Sequence, residues 1–453
     1  MTSQSLDHHD LIFPSAATSI SSTLTSLKRA NLSITNRLHS IHQDAKFVQS
    51  IAEKLGLPLI ANERCGSWYV PPDRKHGSAY FKSTDGHAGQ WAFSLRRLNL
   101  QVLDVVGEFG GCVVVDSTRR GKSMPDALSK TAPIWIAVLN RLLFPKHEES
   151  HQLRTPGDVV SASEHTQIEA RLADFVADAR SLDLNLPALR AKVRRPMHAI
   201  WVTPETNISS VIWVDDAYTR VILCTASSRA SESSSLGAAY VQGAADDSEA
   251  WACGLDAVAF WTNAEALLAT CEDALPETIA SLVEKTTTSS RLPRHISPGQ
   301  SLAISDNAAL SDPGFSLQNY DVIVCIATTL PTALQGNGSG LARRVIHLPC
   351  GTGKLGSREL RLYLPKLEKL PRLEPTAQTV LVTCDTGRDL SVGAALAILC
   401  MYFDERGSMT LPLRQPAPSK AEIKKRLSWI MASISDVSPS RATLQSVNAF
   451  LMG

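Results

Sequence analysis

The chain has 453 residues, with 45 Lys and Arg against 44 Asp and Glu, a formal net charge of +1, and 44% apolar residues. That length predicts two or three domains and ample apolar core. The balanced charge excludes a bulk field that would recruit a membrane or nucleic acid, so no DNA partner is expected and a polyanion must be held by local basic patches.

Residues 1–30 hold Asp7, Asp10 and a Ser/Thr-rich stretch over 15–26 with no apolar signal core, which reads as a disordered lead-in. The longest apolar run, 392–403, is far short of the roughly 20 residues that span a bilayer, so a soluble protein is expected. Nine cysteines without a C-x-x-C pair argue against a disulfide framework and a zinc ribbon, and imply a reducing, cytoplasmic or nuclear setting.

Along the chain, Ile34, Leu38, Ile41, Val48, Ile51 and Leu55 recur at helical spacing until Gly56 and Pro58, which predicts an amphipathic helix over 34–55. A Gly-rich, aromatic stretch follows, and Trp91, Leu95, Leu98, Val102 and Val105 resume the helical period. Residues 112–115 form a buried-strand run ending in a polar loop, 116–123, and Pro125 with Asp126 signals a helix start. Residues 148–164 read as irregular, 167–179 as a helix, and 199–202, 211–214 and 221–224 as strands. The Ser-rich 227–235 reads as a flexible loop and 286–312 as a linker between domains at 31–300 and 313–453. Beyond it, 320–327 and 380–383 are expected strands, with an apolar helix from Val392 and a final basic helix through Lys424, Lys425 and Arg426. Strands alternating with helices indicate an α/β class.

Three constellations can carry chemistry. The first, 113–123 (VVVDSTRRGKS), ends like a nucleotide-binding loop but has Asp116 in place of the first glycine. An apolar strand, an acidic residue and a Ser/Thr/Gly loop before a helix instead resembles the phosphoribosyl pyrophosphate loop of phosphoribosyltransferases. There backbone amides and the hydroxyls of Ser117, Thr118 and Ser123 wrap phosphate around Gly121, while Arg119, Arg120 and Lys122 add charge-assisted bonds. The bland reading is a solvated basic turn. The second places Asp246, Asp247 and Glu249 after a Gly-containing turn, either as hard oxygen ligands for magnesium or as a helix cap.

The third, 383–391 (TCDTGRDLS), resembles the phosphate loop of cysteine-dependent phosphatases. The arginine expected six positions after Cys384 is Leu390, which removes the main oxyanion stabiliser and makes phosphatase chemistry improbable. Gly387, Arg388 and Ser391 can still form an anion-binding nest around Cys384, and the bland reading is a buried core cysteine.

Residues 62–69 (NERCGSWY), 81–87 (FKSTDGH), 115–122 (VDSTRRGK), 240–247 (YVQGAADD) and 389–400 (DLSVGAALAILC) resemble those of the initiator tRNA 2′-O-ribosyl phosphate transferases of fungi and plants. The resemblance runs from about Ile34 to Met452. It implies transfer of a 5-phosphoribosyl group from phosphoribosyl pyrophosphate to a T-stem adenosine of initiator methionine tRNA, which keeps that tRNA from elongation. It also implies a mixed α/β transferase domain followed by a dual-specificity-phosphatase-like α/β domain with a degenerate cysteine loop. In its light, Asp116 ranks first as base for the 2′-hydroxyl, ahead of Asp85 and His87, with Lys82, Ser83 and Thr84 at a second phosphate and magnesium accompanying the donor.

Basic pairs Arg96 and Arg97, Arg194 and Arg195, Arg343 and Arg344, and Lys424 to Arg426 are candidates for tRNA phosphates, though any one such pair is more often an ordinary solvated surface. Trp68, Tyr69 and Trp91 are candidates for stacking, with core packing favoured for Trp91. Two other readings stay open: a phosphatase or phosphate-binding pseudophosphatase, and a non-catalytic tRNA-binding protein.

Overall fold

A computed structural model describes residues 32–84, 89–182, 184–208, 217–229, 239–287, 293–296, 301–312, 315–335, 344–370, 379–404, 407–410, 418–434 and 437–453. Among the described residues the first helix, α1 (Ile34–Leu55), keeps the predicted bounds, because Ser33 caps its start and Gly56, in the left-handed region, ends it. Strands β1 (Leu59–Asn62), β2 (Lys75–Ala79), β3 (Gly111–Asp116), β4 (Met197–Val202) and β5 (Thr219–Thr225) form one parallel sheet in the order β2-β1-β3-β5-β4.

Both faces of that sheet are buried, as an all-parallel sheet requires. In β3 the side chains alternate: Cys112 and Val114 join one core, Val113 and Val115 the other. Helices α2 (Gln101–Phe109), α3 (Ala132–Leu143), α4 (Ala162–Glu169), α5 (Leu172–Arg180) and α6 (Leu186–Val193) contribute to the first core. The second core takes α1 and the shorter α7 (Ser248–Trp251), α8 (Ala257–Thr262), α9 (Ala264–Ala269) and α10 (Leu275–Thr287).

A second five-stranded sheet follows, built from β6 (Arg294–His295), β7 (Leu302–Asp306), β8 (Val322–Ile326), β9 (Val345–Leu348) and β10 (Val380–Cys384) in the order β6-β7-β10-β8-β9. All its pairings are parallel except that of β6 with β7. Among the described residues, helices α11 (Gly353–Tyr363), α12 (Leu390–Tyr402), α13 (Lys420–Ser433) and α14 (Arg441–Met452) accompany it. Every residue of α12 is buried, as expected of a helix apolar on all sides. Gly393 lets α12 and α14 approach, since a Cβ there would lie 2.6 Å from Thr443 Cγ2. Among the described residues no helix is long and apolar enough to cross a membrane.

Several expectations are corrected. Residues 91–98 are not helical: the helix begins at Gln101, after Asn99 takes a positive φ and its side chain bonds the backbone of Tyr80. Trp91 and Leu98 are nevertheless buried, pinned by bonds to Glu164 and from Trp135, so burial alone made the period. The stretch 286–312 is not a bare linker, because β7 lies in it and pairs with β10. The expected 167–179 helix is two helices meeting at Ala170 and Arg171. The basic helix α13 is followed by α14 and so is not the final one. Arg426 within it is buried and donates to the carbonyl of Phe403, which removes it from the phosphate candidates. Residues 211–214 and 230–235 lie outside the described residues, as do Arg343 and the lead-in.

Candidate active site

In a parallel α/β sheet the loops leaving the carboxyl ends of the strands build the site, at the point where strand order reverses. Here that point lies between β1 and β3, since the chain steps from β1 out to β2 and then back to β3 on its other side. Asn62, the last residue of β1, donates from Nδ2 to Asp116 Oδ2 (2.8 Å) and to the carbonyl of Phe81 (3.0 Å). Its Oδ1 accepts from the Phe81 amide at 2.6 Å. One amide side chain therefore joins the ends of β1 and β3 to the segment leaving β2.

Asp116 ends β3 and is wholly buried, an arrangement that is stable only if its charge is paired and bonded. Arg64 supplies the pair: Nε lies 3.2 Å from Oδ2 and Nη2 lies 3.0 Å from Oδ1. The Cys65 thiol (2.9 Å) and the Ser117 amide (2.8 Å) also donate to Oδ1. The same guanidinium reaches Asp246 Oδ1 through Nη1 at 3.1 Å and also bonds the carbonyl of Ser117. Burial opposes the Arg64 charge, but Cys65, Asp116 and Asp246 around it raise its pKa above the ordinary value. Burial, reinforced by Asp116, pushes the Cys65 thiol well up, so it is not a thiolate nucleophile. Burial likewise raises the Asp246 carboxyl, against the pull of Arg64.

The loop after Asp116 is held from two further sides. The Thr118 amide donates to Ser227 Oγ, and that hydroxyl donates back to the Thr118 carbonyl, both at 3.1 Å. Gln242 Nε2 donates to the Lys122 carbonyl at 2.7 Å. Gly243, at φ +66°, lies so close that a Cβ would sit 2.6 Å from the Thr118 carbonyl oxygen. Arg119, Arg120 and Gly121 form the exposed tip of this fixed loop. Lys122 turns back to Asp126 at 3.4 Å, and Ser123 is half-buried at the foot of the tip.

Lys82 is exposed, while Ser83 and Thr84 are half-buried on the segment leaving β2. Thr84 Oγ1 donates to Asp126 Oδ2 at 2.9 Å, so the second predicted motif meets the base of the first. Asp126 also faces Lys130 (3.4 Å), which pairs with Glu164 at 2.8 Å. Asp85 and His87 lie outside the described residues.

The structure separates residues that the sequence grouped. Asp116 is buried with both its oxygens engaged, an arrangement that suits an anchor of the loop rather than a base open to a substrate hydroxyl. The three acidic residues do not converge: Asp246 pairs inward with Arg64, whereas Asp247 and Glu249 are exposed at the start of α7. Among the described residues no three His, Cys, Asp or Glu side chains form a group that could hold a metal. Sequence reasoning gave no role to Asn62 or Arg64. The available signal was a polar Asn-Glu-Arg run directly after an apolar strand.

In the second sheet, β10 runs into the cysteine loop. Cys384 Sγ donates to Ser391 Oγ at 3.1 Å, and Leu390 is buried where a phosphatase would place its arginine. The two carboxylates of the loop are used internally. Asp385 accepts from Asn307 at 2.7 Å, and Asp389 Oδ1 accepts from the Ser440 amide (2.9 Å) and Thr443 Oγ1 (2.6 Å). Gly387 has φ +62° and its carbonyl accepts from Arg294 at 2.7 Å; the Arg388 side chain is exposed. Trp68 and Tyr69 are core residues, Trp68 packing on Trp251 and Phe260, which removes both as stacking platforms.

Comparison with known proteins supplies the remaining findings. Residues 27–284 match the family model described as the Rit1 N-terminal domain, and residues 344–451 match that of the Rit1 DUSP-like domain. The chain is 36% identical over 440 residues to an uncharacterized protein of Schizosaccharomyces pombe, spanning 92% of this chain and 94% of that one. It is 34% identical over 495 residues to the tRNA A64-2′-O-ribosylphosphate transferase of Saccharomyces cerevisiae, spanning 96% and 95%. Among solved structures, the Yvh1 phosphatase domain from Chaetomium thermophilum aligns with a TM-score of 0.27 and 16% identity, over 35% of this chain and 95% of that one.

Proposed function

The chain belongs to the Rit1 family, with a phosphatase-like second domain, and on that basis we propose that it transfers a ribosyl phosphate group to the 2′-hydroxyl of adenosine 64 of a tRNA. The donor in this reading is phosphoribosyl pyrophosphate and the acceptor is initiator methionine tRNA, which the added anionic group then keeps from elongation. Its place of action is the cytoplasm or the nucleus.

The observation that carries the reading is the loop 117–122, fixed at the strand ends by Arg64, Ser227 and Gln242 and presenting Arg119 and Arg120 outward. In the reaction a bond forms between the 2′-oxygen and the anomeric carbon of the donor ribose, while the bond from that carbon to pyrophosphate breaks. Pyrophosphate leaves with the electron pair, so cations placed where its charge develops stabilise the transition state. Arg119 and Arg120 at the exposed tip are assigned to that charge, with Lys122 and Ser123 beside them; Ser117 and Thr118 are buried, with their amides bonded to Asp116 and Ser227, and hold the loop rather than the phosphate. Lys82, Ser83 and Thr84 are assigned to a second phosphate.

The 2′-hydroxyl proton needs an acceptor. Asp85 and His87, on the segment that follows Thr84, take that role in this proposal, and Asp116 positions the loop. Magnesium is expected with the donor. Because Asp246, Asp247 and Glu249 do not converge, they make no protein cage for it, and no step is assigned through it. Phosphatase action by the second domain is disfavoured by Leu390 and by the engaged carboxylates Asp385 and Asp389.

Incubation of the purified chain with unmodified initiator tRNA, magnesium and phosphoribosyl pyrophosphate, followed by mass analysis of the digested nucleosides, tests the proposal. The expected product carries one added phosphoribosyl group on one adenosine. Folded protein that yields no such product overturns it.

A further inference from the structure

The two domains enclose a cavity of about 890 Å³. One wall comes from the segment around Tyr80 to Arg97 in the first domain, the other from α13 and α14 in the second. Among the described residues six cationic side chains line it: Lys82, Arg96 and Arg97 on one wall, and Lys420, Lys424 and Arg441 on the other. Among the described lining residues there is no carboxylate. For a chain with 45 basic and 44 acidic residues, that is a marked local segregation of charge. Among the described residues none of the six forms an ion pair.

The floor is apolar, with Phe93, Leu427 and Met431 among its residues. Arg97 ties the walls together: its guanidinium lies 3.3 Å from the Tyr80 ring centroid, and Nη2 donates to Ser438 Oγ across the domains at 3.2 Å. Lys82 and Thr84 also line the cavity, and Thr84 is bonded to Asp126, which faces Lys122. The cavity therefore opens beside the foot of the loop assigned to pyrophosphate.

We propose that this cavity is an RNA-backbone groove shared by the two domains, in which Arg96, Lys420, Lys424 and Arg441 hold phosphates while the apolar floor receives the sugar and base side of the strand. The inference rests on the tRNA-modifying reading and adds to it where the tRNA lies. A groove with a cationic rim and an apolar, partly aromatic floor is the arrangement that tracks a nucleic-acid strand without reading its sequence. A chain without net charge gains such binding where cations are gathered apart from carboxylates, as they are among the described lining residues. The phosphatase-like domain is thereby given a task that needs no phosphatase chemistry.

The test is the affinity of the full chain for unmodified initiator tRNA over a series of salt concentrations. Each lost phosphate contact lowers the slope of log K against log salt by about one. The paired change Lys420→Ala and Lys424→Ala removes two exposed cations from the second domain, and the slope is expected to fall by about two while binding weakens. Arg96→Ala on the opposite wall is expected to lower it by about one, and Lys420→Arg with Lys424→Arg to restore it. Wild-type slope and affinity in both alanine variants would overturn the groove. So would a raised KM for phosphoribosyl pyrophosphate with unchanged tRNA binding, which would make the cavity a donor pocket. A wild-type chain that binds no tRNA would remove the functional reading itself, a failure distinct from the other two.

Discussion

Arg64 grips Asp116 through two parallel hydrogen bonds, Nε to Oδ2 at 3.2 Å and Nη2 to Oδ1 at 3.0 Å, although Asp116 ends β3 and Arg64 lies in the turn that follows β1. Planar two-point contact of this kind fixes direction as well as distance, which a lysine could not reproduce. Through its third nitrogen the same side chain holds Asp246, so three separate loops share one cation.

Removing that cation strands a buried charge. Arg64→Ala is expected to destabilise the fold by about 2–3 kcal/mol, below the cost of breaking a fully buried pair because 23% of the Arg64 side chain stays exposed. Adding Asp116→Asn to it should recover part of the loss. Denaturant melts of the two single variants and the double variant measure this coupling, and strict additivity would refute it.

The loop tip should behave in the opposite way. Arg119→Ala with Arg120→Ala touches exposed side chains, so stability should stay within about 0.5 kcal/mol. Transfer should fall by roughly 100-fold or more, the usual scale for losing a preorganised charge partner. Single-turnover rates alongside thermal melts separate the two effects.

Gly243 tests whether the shape of the loop matters apart from its charge. Gly243→Ala must tolerate φ +66° and place a Cβ 2.6 Å from the Thr118 carbonyl oxygen. A cost of about 1–3 kcal/mol is expected, with loss of transfer and unaltered net charge. A fully active, equally stable variant would show that the contact does not fix the loop.

The acidic cluster yields a prediction about metal. With Asp247 and Glu249 exposed and Asp246 paired to Arg64, changing Asp247 and Glu249 together to alanine should leave the magnesium concentration for half-maximal transfer unchanged. A several-fold rise would return them to the role of ligands.

Acid should weaken the fold through His198. Burial, helped by Arg154, lowers its pKa to about 4, against 6.5 for the free side chain. Between these values the unfolded chain binds a proton that the folded chain does not, so stability is full above about pH 6.5 and falls as pH drops toward 4. His198→Gln should flatten that part of a plot of melting temperature against pH; an unchanged slope would assign the effect to other groups.

How much of this could be read beforehand depends on how local the causes were. The helix over 34–55 carries its own period, cap and stop, and β3 is a continuous apolar run bounded by glycine and aspartate. Such features sit within a few residues of one another. The Arg64–Asp116 pair does not: its members are 52 residues apart, and the pairing exists because β1 and β3 happen to be neighbours. That adjacency turned Asp116 from an apparent base into an anchor. Long-range burial also defeats local patterns, as Arg426 lies in a basic run yet points inward to Phe403, and Leu98 holds a helical spacing yet lies in a loop. The facing of Arg96 and Lys424 across a cavity was beyond any local pattern.

Asp389, in the cysteine loop of the part that matches the Rit1 DUSP-like domain, spends its carboxylate on the first turn of α14, through Ser440 and Thr443. The loop thereby serves as a buttress for α14. Selection on the loop would then act through the helix it supports.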